Sequence, residues 1–321
     1  MMNTILPIEL RISFYIPPWH GFYKAISSWA RELETATINK VKCTFHGDAK
    51  VAPVGVDKQY DMVTSGVADL AIFNTVALPG RFPLTEICRL PYLFTSQRQA
   101  TLVVHELVDR YLRSEYREVE LLTVFPFIEY YPYTAKKQVK TLDDIYGLKI
   151  SASGGVATET TKALGAVPVR VGFTERNNAI EKGLVDGLVW LAESVVSQKV
   201  HHLIKYATIA SDTTANMFPV VMNLEKWEKL PSDVKDVINM TGRKALALRL
   251  MEEFVKCDED ARQVMEESGT VFYTLPPDER ARWVKATSKV HQNWIAGLES
   301  KKLPAKQIYD TMVMLMKSYA D

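Results

Sequence analysis

The chain has few cysteines, no dominant charge and no long apolar run. Its three cysteines, Cys43, Cys88 and Cys257, are far apart in 321 residues. They are odd in number, and no CxxC or Cys/His cluster accompanies them, so neither a zinc site nor a disulfide framework is signalled and buried free thiols are expected. The formal net charge is +1, with both signs mixed along the chain. That argues against nucleic acid as a partner, which calls for a basic excess. No stretch approaches the roughly 20 apolar residues of a membrane span. The opening MMNTILPIELRIS has no basic segment followed by an apolar one. Either the protein is cytoplasmic or a signal peptide is missing from this sequence.

Catalytic signatures are also missing. There is no GxGxxG, no GxxxxGK[ST] and no HExxH. SASGG (151–155) lacks the spacing of a GxSxG elbow. The six histidines, His20, His46, His105, His201, His202 and His291, fall in different predicted elements. The adjacent His201 and His202 point to different faces of a helix, a poor arrangement for holding a metal. Members of a Ser/His/Asp triad need not be neighbours in sequence, but nothing here recommends one. No catalytic residue, metal site or cofactor is expected.

What is present is an ordinary soluble composition, 47% hydrophobic and 24% charged, in a length that fits about two domains. Strand-like LRISFYI (10–16) is followed by a helical period in 19–37, with Phe22, Ile26, Trp29, Ala30 and Leu33 on one face. KVKCTFHG (40–47) alternates as a strand, 56–69 reads as a helix up to Gly66, and LAIFNTV (70–76) as a strand. The order repeats later: strand 147–151, helix 155–166, strand 167–173, helix 174–186, strand 187–192. Both third strands are introduced alike. MVTSGVADLAIFN (62–74) and AIEKGLVDGLVWL (179–191) each read helix, Gly, two residues, Asp, apolar strand. This weak internal repeat predicts two similarly built α/β lobes. Aromatic-rich 122–137 is the expected first crossover between them, and the strand in 217–230 the return. A helical stretch runs from 231–233 to about 268 and is expected as one long or kinked helix spanning both lobes. A short strand (270–275) and helices in 276–298 and 304–320 close the chain. The lobes are expected at 10–130 plus 218–250 and at 131–217 plus 251–321.

Open α/β sheets bind ligands at the carboxyl ends of their strands, so two such lobes predict a cleft between them that closes on a hinge. The strand ends then supply the candidate contacts. In the first lobe these are Phe14, Trp19, His20, Phe73 and Asn74. The crossover adds Tyr130 and Tyr131. The second lobe supplies Ser151, Ser153, Phe173, Asn177, Trp190 and Glu193, and the return adds Asn216 and Phe218. The set is aromatic and hydrogen-bonding, with few charges.

These landmarks resemble the solute-binding proteins of tripartite ATP-independent periplasmic (TRAP) transporters, the DctP-like family, from about Leu10 to the C-terminal helices. The similar segments are LRISFYIPPWHGFYKAISSWAREL, VTSGVADLAIFNTVALPGRFPLTEICRLPYLF (63–94), TLDDIYGLKI (141–150), LGAVPVRVGFTERNNAIEKGLVDG (164–187) and PVVMNLEKWEKLP (219–231). The resemblance implies a two-lobed fold like the type II periplasmic binding proteins. It implies a monomeric, non-enzymatic periplasmic protein that carries a small organic ligand to integral membrane subunits, the signal peptide being absent from this sequence.

Three positions depart from the family pattern. The strand GLKIR usually ends in an arginine that forks onto a ligand carboxylate, and here that residue is Ser151. A frequent crossover arginine aligns with Tyr130, and a frequent asparagine with Trp190. The ligand is therefore expected to be atypical: aromatic or largely apolar, or lacking a carboxylate at the usual place. Tyr130, Tyr131, Trp190, Phe73 and Phe173 would stack on it. Ser151, Ser153, Asn74 and Asn177 would orient its polar groups. Were it an anion, Arg170, Arg89, Arg81 or His20 would have to supply the cation. Two other functions fit the scaffold: a ligand sensor for a signalling system, and an enzyme with Glu129, Glu193 and His20 at its cleft.

Overall fold

The computed structural model describes residues 6–46, 55–152, 154–172, 175–210 and 213–320. The chain opens with β1 (Ile8–Ser13), α1 (Gly21–Ala36), β2 (Val41–His46), α2 (Gln59–Thr64), β3 (Leu70–Ile72), α3 (Gln97–Arg110) and β4 (Val119–Phe127). It continues with β5 (Tyr131–Thr134), α4 (Leu142–Ile145), β6 (Lys149–Ser151), α5 (Gly155–Ala163), β7 (Val167–Val169), α6 (Arg176–Glu181), β8 (Gly187–Trp190), α7 (Ala192–Ser197) and β9 (Tyr206–Ile209). Then come β10 (Asn216–Asn223), α8 (Leu224–Lys229), α9 (Ser232–Gly242), α10 (Lys244–Glu267), β11 (Val271–Thr274), α11 (Pro277–Glu299) and α12 (Ala305–Ser318). Strand β9 lies in a stretch where the sequence pattern shows no clear alternation.

Two compact units form. Unit 1 takes the chain up to Phe82, then Thr101–Pro126 and Met217–Phe254; unit 2 takes Pro83–Ala100, Phe127–Asn216 and everything from Val255 on. Pro83–Ala100 pack in unit 2 although chain order assigns them to the first lobe. Arg89 Nε donates to Ala215 O (2.8 Å), Thr214 Oγ1 to Arg89 O (3.0 Å) and Gln99 Nε2 to Met316 O (2.9 Å).

Unit 1 is built on a five-stranded sheet of order β2-β1-β3-β10-β4, with β1 parallel to β2 and β3 and β10 antiparallel to β3. Helix α1 buries the face its period predicts, Phe22, Ile26, Trp29, Ala30 and Leu33. Burying each large apolar side chain contributes about 1.5–3 kcal/mol. The Trp29 indole keeps its one polar atom satisfied, donating to Thr241 Oγ1 at 3.0 Å. The rings of Phe22, Phe125, Phe218 and Phe254 form one core cluster, and Tyr60, Phe73, Phe82 and Tyr116 a second.

Unit 2 is built on a six-stranded sheet of order β11-β9-β5-β8-β6-β7. Strand β6 runs parallel to β7 and β8, while β5 is antiparallel to β8 and β9. Helices α5 and α11 pack together in this unit.

The internal repeat has a physical basis. Gly66 and Gly183 end their helices at φ +73° and +67°, the left-handed region that side chains resist. Three residues later the aspartate grips a strand of its own sheet, β1 in unit 1 and β6 in unit 2. Asp69 Oδ2 accepts from Arg11 N (2.8 Å) and Asp69 N donates to Arg11 O (2.8 Å). Asp186 does the same with Lys149, at 2.8 and 2.7 Å. In each unit one Gly-x-x-Asp stretch therefore ends a helix and sets the register of the next strand.

The helical stretch after 231 is broken. Helix α9 stops at Arg243 (φ −91°, ψ −112°) and α10 begins at Lys244. The Arg243 side chain holds the break, donating to Glu120 Oε1 (2.7 Å) and to Leu121 O. Helix α10 then runs unbroken past the Phe254/Val255 division between the units.

Candidate functional site

The strand register of unit 2 brings several candidate residues to one end of its sheet. Trp190, the last residue of β8, pairs with Tyr131, the first residue of antiparallel β5. Ser151, the last residue of β6, pairs with Leu188, two residues before Trp190 on the neighbouring strand. Tyr130 immediately precedes β5, and its hydroxyl accepts from Asn216 Nδ2 at 2.6 Å. Tyr130, Tyr131, Ser151, Trp190 and Asn216 are all buried. Ser151 is only 2% exposed, and its Oγ has no hydrogen-bond partner among the described residues, an arrangement that is costly for a buried hydroxyl.

One residue joins this group that the strand-end reading does not pick out. Arg176, the first residue of α6, is 6% exposed, and its guanidinium carbon stands 4.1 Å from the centre of the Trp190 ring. Burial pulls its pKa down to about 10, with nearby Tyr130 acting in the opposite direction. The group thus combines a guanidinium, a phenol, a carboxamide and a hydroxyl around an indole. It can stack on a flat apolar body and donate hydrogen bonds to it.

Behind these residues lies a charged cluster. Arg262 ion-pairs with Glu129, donates to Tyr131 Oη (2.7 Å) and lies 4.9 Å from the centre of the Tyr131 ring. Its Nε is 3.4 Å from Asp258 Oδ2. Asp258 Oδ1 accepts from the backbone of Glu193 at the start of α7 (2.9 Å), and Glu193 Oε2 accepts from Ser194 Oγ (3.1 Å). Glu193 and Tyr131 are therefore engaged by protein groups.

The remaining candidates have other surroundings. In unit 1, Phe14 packs between Tyr23 and Phe45, while Phe73 and Phe218 belong to the two core clusters. His20 caps α1, its Nδ1 accepting from Phe22 N at 3.1 Å. Asn74 caps the single turn at 75–77 through Val76 N (3.1 Å). Trp19 is 54% exposed. In unit 2, Asn177 donates to Lys199 O (2.8 Å). Ser153 and Phe173 lie outside the described residues. Among the expected cations, Arg89 is buried against Glu86 and Ala215 O, Arg81 pairs with Glu118 over the Tyr60 ring, and Arg170 is exposed. Arg176 offers no sequence signal of its own. Within the helix expected over 174–186 it is one polar residue among TERNN (174–178).

Among the described residues, no group of His, Cys, Asp or Glu is placed to hold a metal ion, and no helix is long and apolar enough to cross a membrane. Cys43 is a buried free thiol, and burial pushes its pKa up to about 12.

Residues 12–297 match the bacterial extracellular solute-binding protein family 7. The chain is 27% identical to the C4-dicarboxylate-binding periplasmic protein DctP of Rhodobacter capsulatus, over 68% of this chain and 66% of that protein. It is similar in fold to a TRAP solute-binding protein from a marine metagenome, specific for aromatic acid ligands and solved with 3-hydroxybenzoate (TM-score 0.90, 24% identity, 99% of this chain and all of that one). It is also similar to a TRAP periplasmic solute-binding protein from Bordetella bronchiseptica with bound mandelate (TM-score 0.85, 24% identity, 98% of this chain and all of that one).

Proposed function

The chain belongs to the family 7 bacterial extracellular solute-binding proteins, the DctP-like receptors of TRAP transporters, and from that premise we propose that its solute is a small aromatic or largely apolar compound. The solute engages the end of the unit 2 sheet where Tyr130, Trp190, Asn216 and Ser151 converge. The protein then delivers it, as a periplasmic monomer, to integral membrane subunits. The observation that carries this reading is the make-up of that sheet end: buried aromatic surface from Trp190 and Tyr130, with the Asn216–Tyr130 hydrogen bond among the few polar groups beside it. Rigid rings supply contact area at low conformational cost. The ligands of the two structural relatives, 3-hydroxybenzoate and mandelate, support the same class.

Thermal unfolding with each of a panel of solutes tests the reading. A ligand at about 100 times its Kd stabilises by about 2.7 kcal/mol, which for a chain of this size raises Tm by about 5 °C. Aromatic compounds of the size of 3-hydroxybenzoate are expected to give such a shift and to alter tryptophan emission through Trp190. Strong stabilisation by succinate or sugar acids, with none by aromatic compounds, would sink the proposal.

A further inference from the structure

We propose that the Glu34 carboxylate closes the outer edge of strand β2 against strand addition, and so keeps the chain from pairing edge to edge with a second copy of itself. Such a guard serves the monomeric state proposed above and, resting on that reading, is independent of which solute binds.

Strand β2 ends the unit 1 sheet, with parallel β1 as its one neighbour among the described residues. In a parallel pair, alternate residues of a strand turn both N–H and C=O toward the neighbour, and the residues between turn theirs away. Ile8 N donates to Lys40 O at 2.8 Å, which sets the alternation: Lys42 and Thr44 face β1, while Val41, Cys43 and Phe45 face outward. Outward N–H and C=O groups make an edge a template for another strand. Here the end of α1 and the turn after it take up the first two outward N–H groups. Cys43 N donates to Glu34 Oε1 at 2.8 Å, and Val41 N to Thr37 Oγ1 at 3.4 Å.

The second oxygen of Glu34 accepts from Lys42 Nζ at 3.0 Å. Lys42 and Cys43 are successive residues, so their side chains leave opposite faces of the strand. Cys43 is buried and Lys42 exposed. The Lys42–Glu34 pair therefore crosses the edge of β2 like a strap. Burial pushes the Glu34 carboxyl up, but the Cys43 N–H and Lys42 outweigh it and hold the group below the usual carboxylate range, so the strap is charged at neutral pH. A tight turn of residues 37–40 brings Glu34 into place, with Ile38 and Asn39 in the left-handed region at φ +53° and +58°.

Unit 2 guards its β7 edge by another route. Val167 N donates to Leu148 O at 2.8 Å, so the next residue faces outward, and it is Pro168, which has no N–H to offer. Beside β2 there is room for an added strand: a cavity of about 590 Å³ lies against Glu34, Lys42, Cys43 and Phe45. A second copy of this chain fits that edge. Each outward residue carries both a donor and an acceptor, so two β2 edges running antiparallel about a two-fold axis satisfy each other.

Sedimentation velocity over a concentration series, with amide hydrogen exchange at its two ends, tests this on the wild type, E34A and E34Q. The wild type should stay monomeric with the Cys43 amide protected. Dilute E34A should lose that protection by roughly 10-fold or more, as expected for a lost hydrogen bond to a charged acceptor. As its concentration rises E34A should dimerise reversibly, with protection returning across residues 41–45. E34Q keeps an acceptor for Cys43 N and should stay monomeric. The other sheet edges are identical in the three proteins, so a difference between them reports β2. An E34A protein that is monomeric throughout overturns the role of Glu34 and leaves the monomeric reading standing; so does fast exchange of the Cys43 amide in the wild type. A wild type that dimerises sinks the monomeric reading and the guard with it. The wild-type exchange measurement needs no variant to fold.

Discussion

Gly187→Ala is expected to destabilise the protein by about 3 kcal/mol or more, at or beyond the upper end for overpacking by one methyl group. A Cβ at this position would stand 2.2 Å from Tyr133 O, 3.0 Å from Thr134 Cγ2 and 3.1 Å from Thr134 Cα. Two of these atoms are backbone, so no rotamer change relieves the clash. Gly187 is also paired on both sides, with Thr134 of β5 and Ile150 of β6. Making room means parting β5 from β8 in the middle of the sheet and straining the adjacent Ala135 N–Asp186 O hydrogen bond of 3.0 Å. Since β8 carries Trp190 three residues on, the response to solute should weaken as well. Urea unfolding of Gly187→Ala beside Gly297→Ala checks this. At Gly297, in helix α11, an added Cβ meets nothing within 4 Å. That change should be neutral or stabilising by up to about 1 kcal/mol. A Gly187→Ala protein within 0.5 kcal/mol of wild type would show that the β5–β8 pair has slack the structure does not.

Asp258 should make the protein lose stability as pH rises. Its carboxyl is fully buried, and burial raises its pKa to about 7; the Glu193 N–H and Arg262 pull it down, and Glu129 and Glu193 push it up. Tyr131 and Tyr133 of β5 complete the surroundings of this cluster. The sign follows from proton counting. An unfolded chain releases the Asp258 proton near pH 3.9, and the folded chain retains it to about pH 7. Between these values the native state binds more protons, so stability falls with rising pH, by at most about 1.4 kcal/mol per unit, and levels off above the folded pKa. Asp258→Asn cannot titrate and keeps an acceptor for Glu193 N. From pH 5 to pH 8 the wild type should lose about 2.5 kcal/mol relative to this variant. Urea midpoints at four pH values measure the difference, and parallel profiles for the two proteins would assign the titration elsewhere. Because α7 starts right after Trp190 and Leu191 and is held by this carboxylate, the titration acts on an element adjoining the candidate site.

The alternation of strand and helix, the amphipathic face of α1 and the two Gly-x-x-Asp signals were legible in the sequence because each depends on residues a few positions apart. A period of 3.6 or 2, a left-handed glycine and an aspartate next to a strand need no distant partner to be recognised. The same local signals carry the family resemblance that the comparisons bear out. A strand end, by contrast, says that a residue is near the rim of a sheet but not which neighbour covers it. Phe73 and Phe218 share that position with Trp190, and tertiary packing sent them into the ring clusters of unit 1. His20 became a helix cap. Arg176 is the sharpest case. In TERNN it is one arginine among polar residues, and only the fold brings it over the indole of Trp190. Asp258 likewise sits in an acidic helical stretch with nothing to mark it. What separates it from its exposed neighbours is the backbone of Glu193, 65 residues away in sequence and 2.9 Å away in space. Local chemistry determined the elements and their order. Which charges lose their water was decided by contacts between residues far apart in the chain.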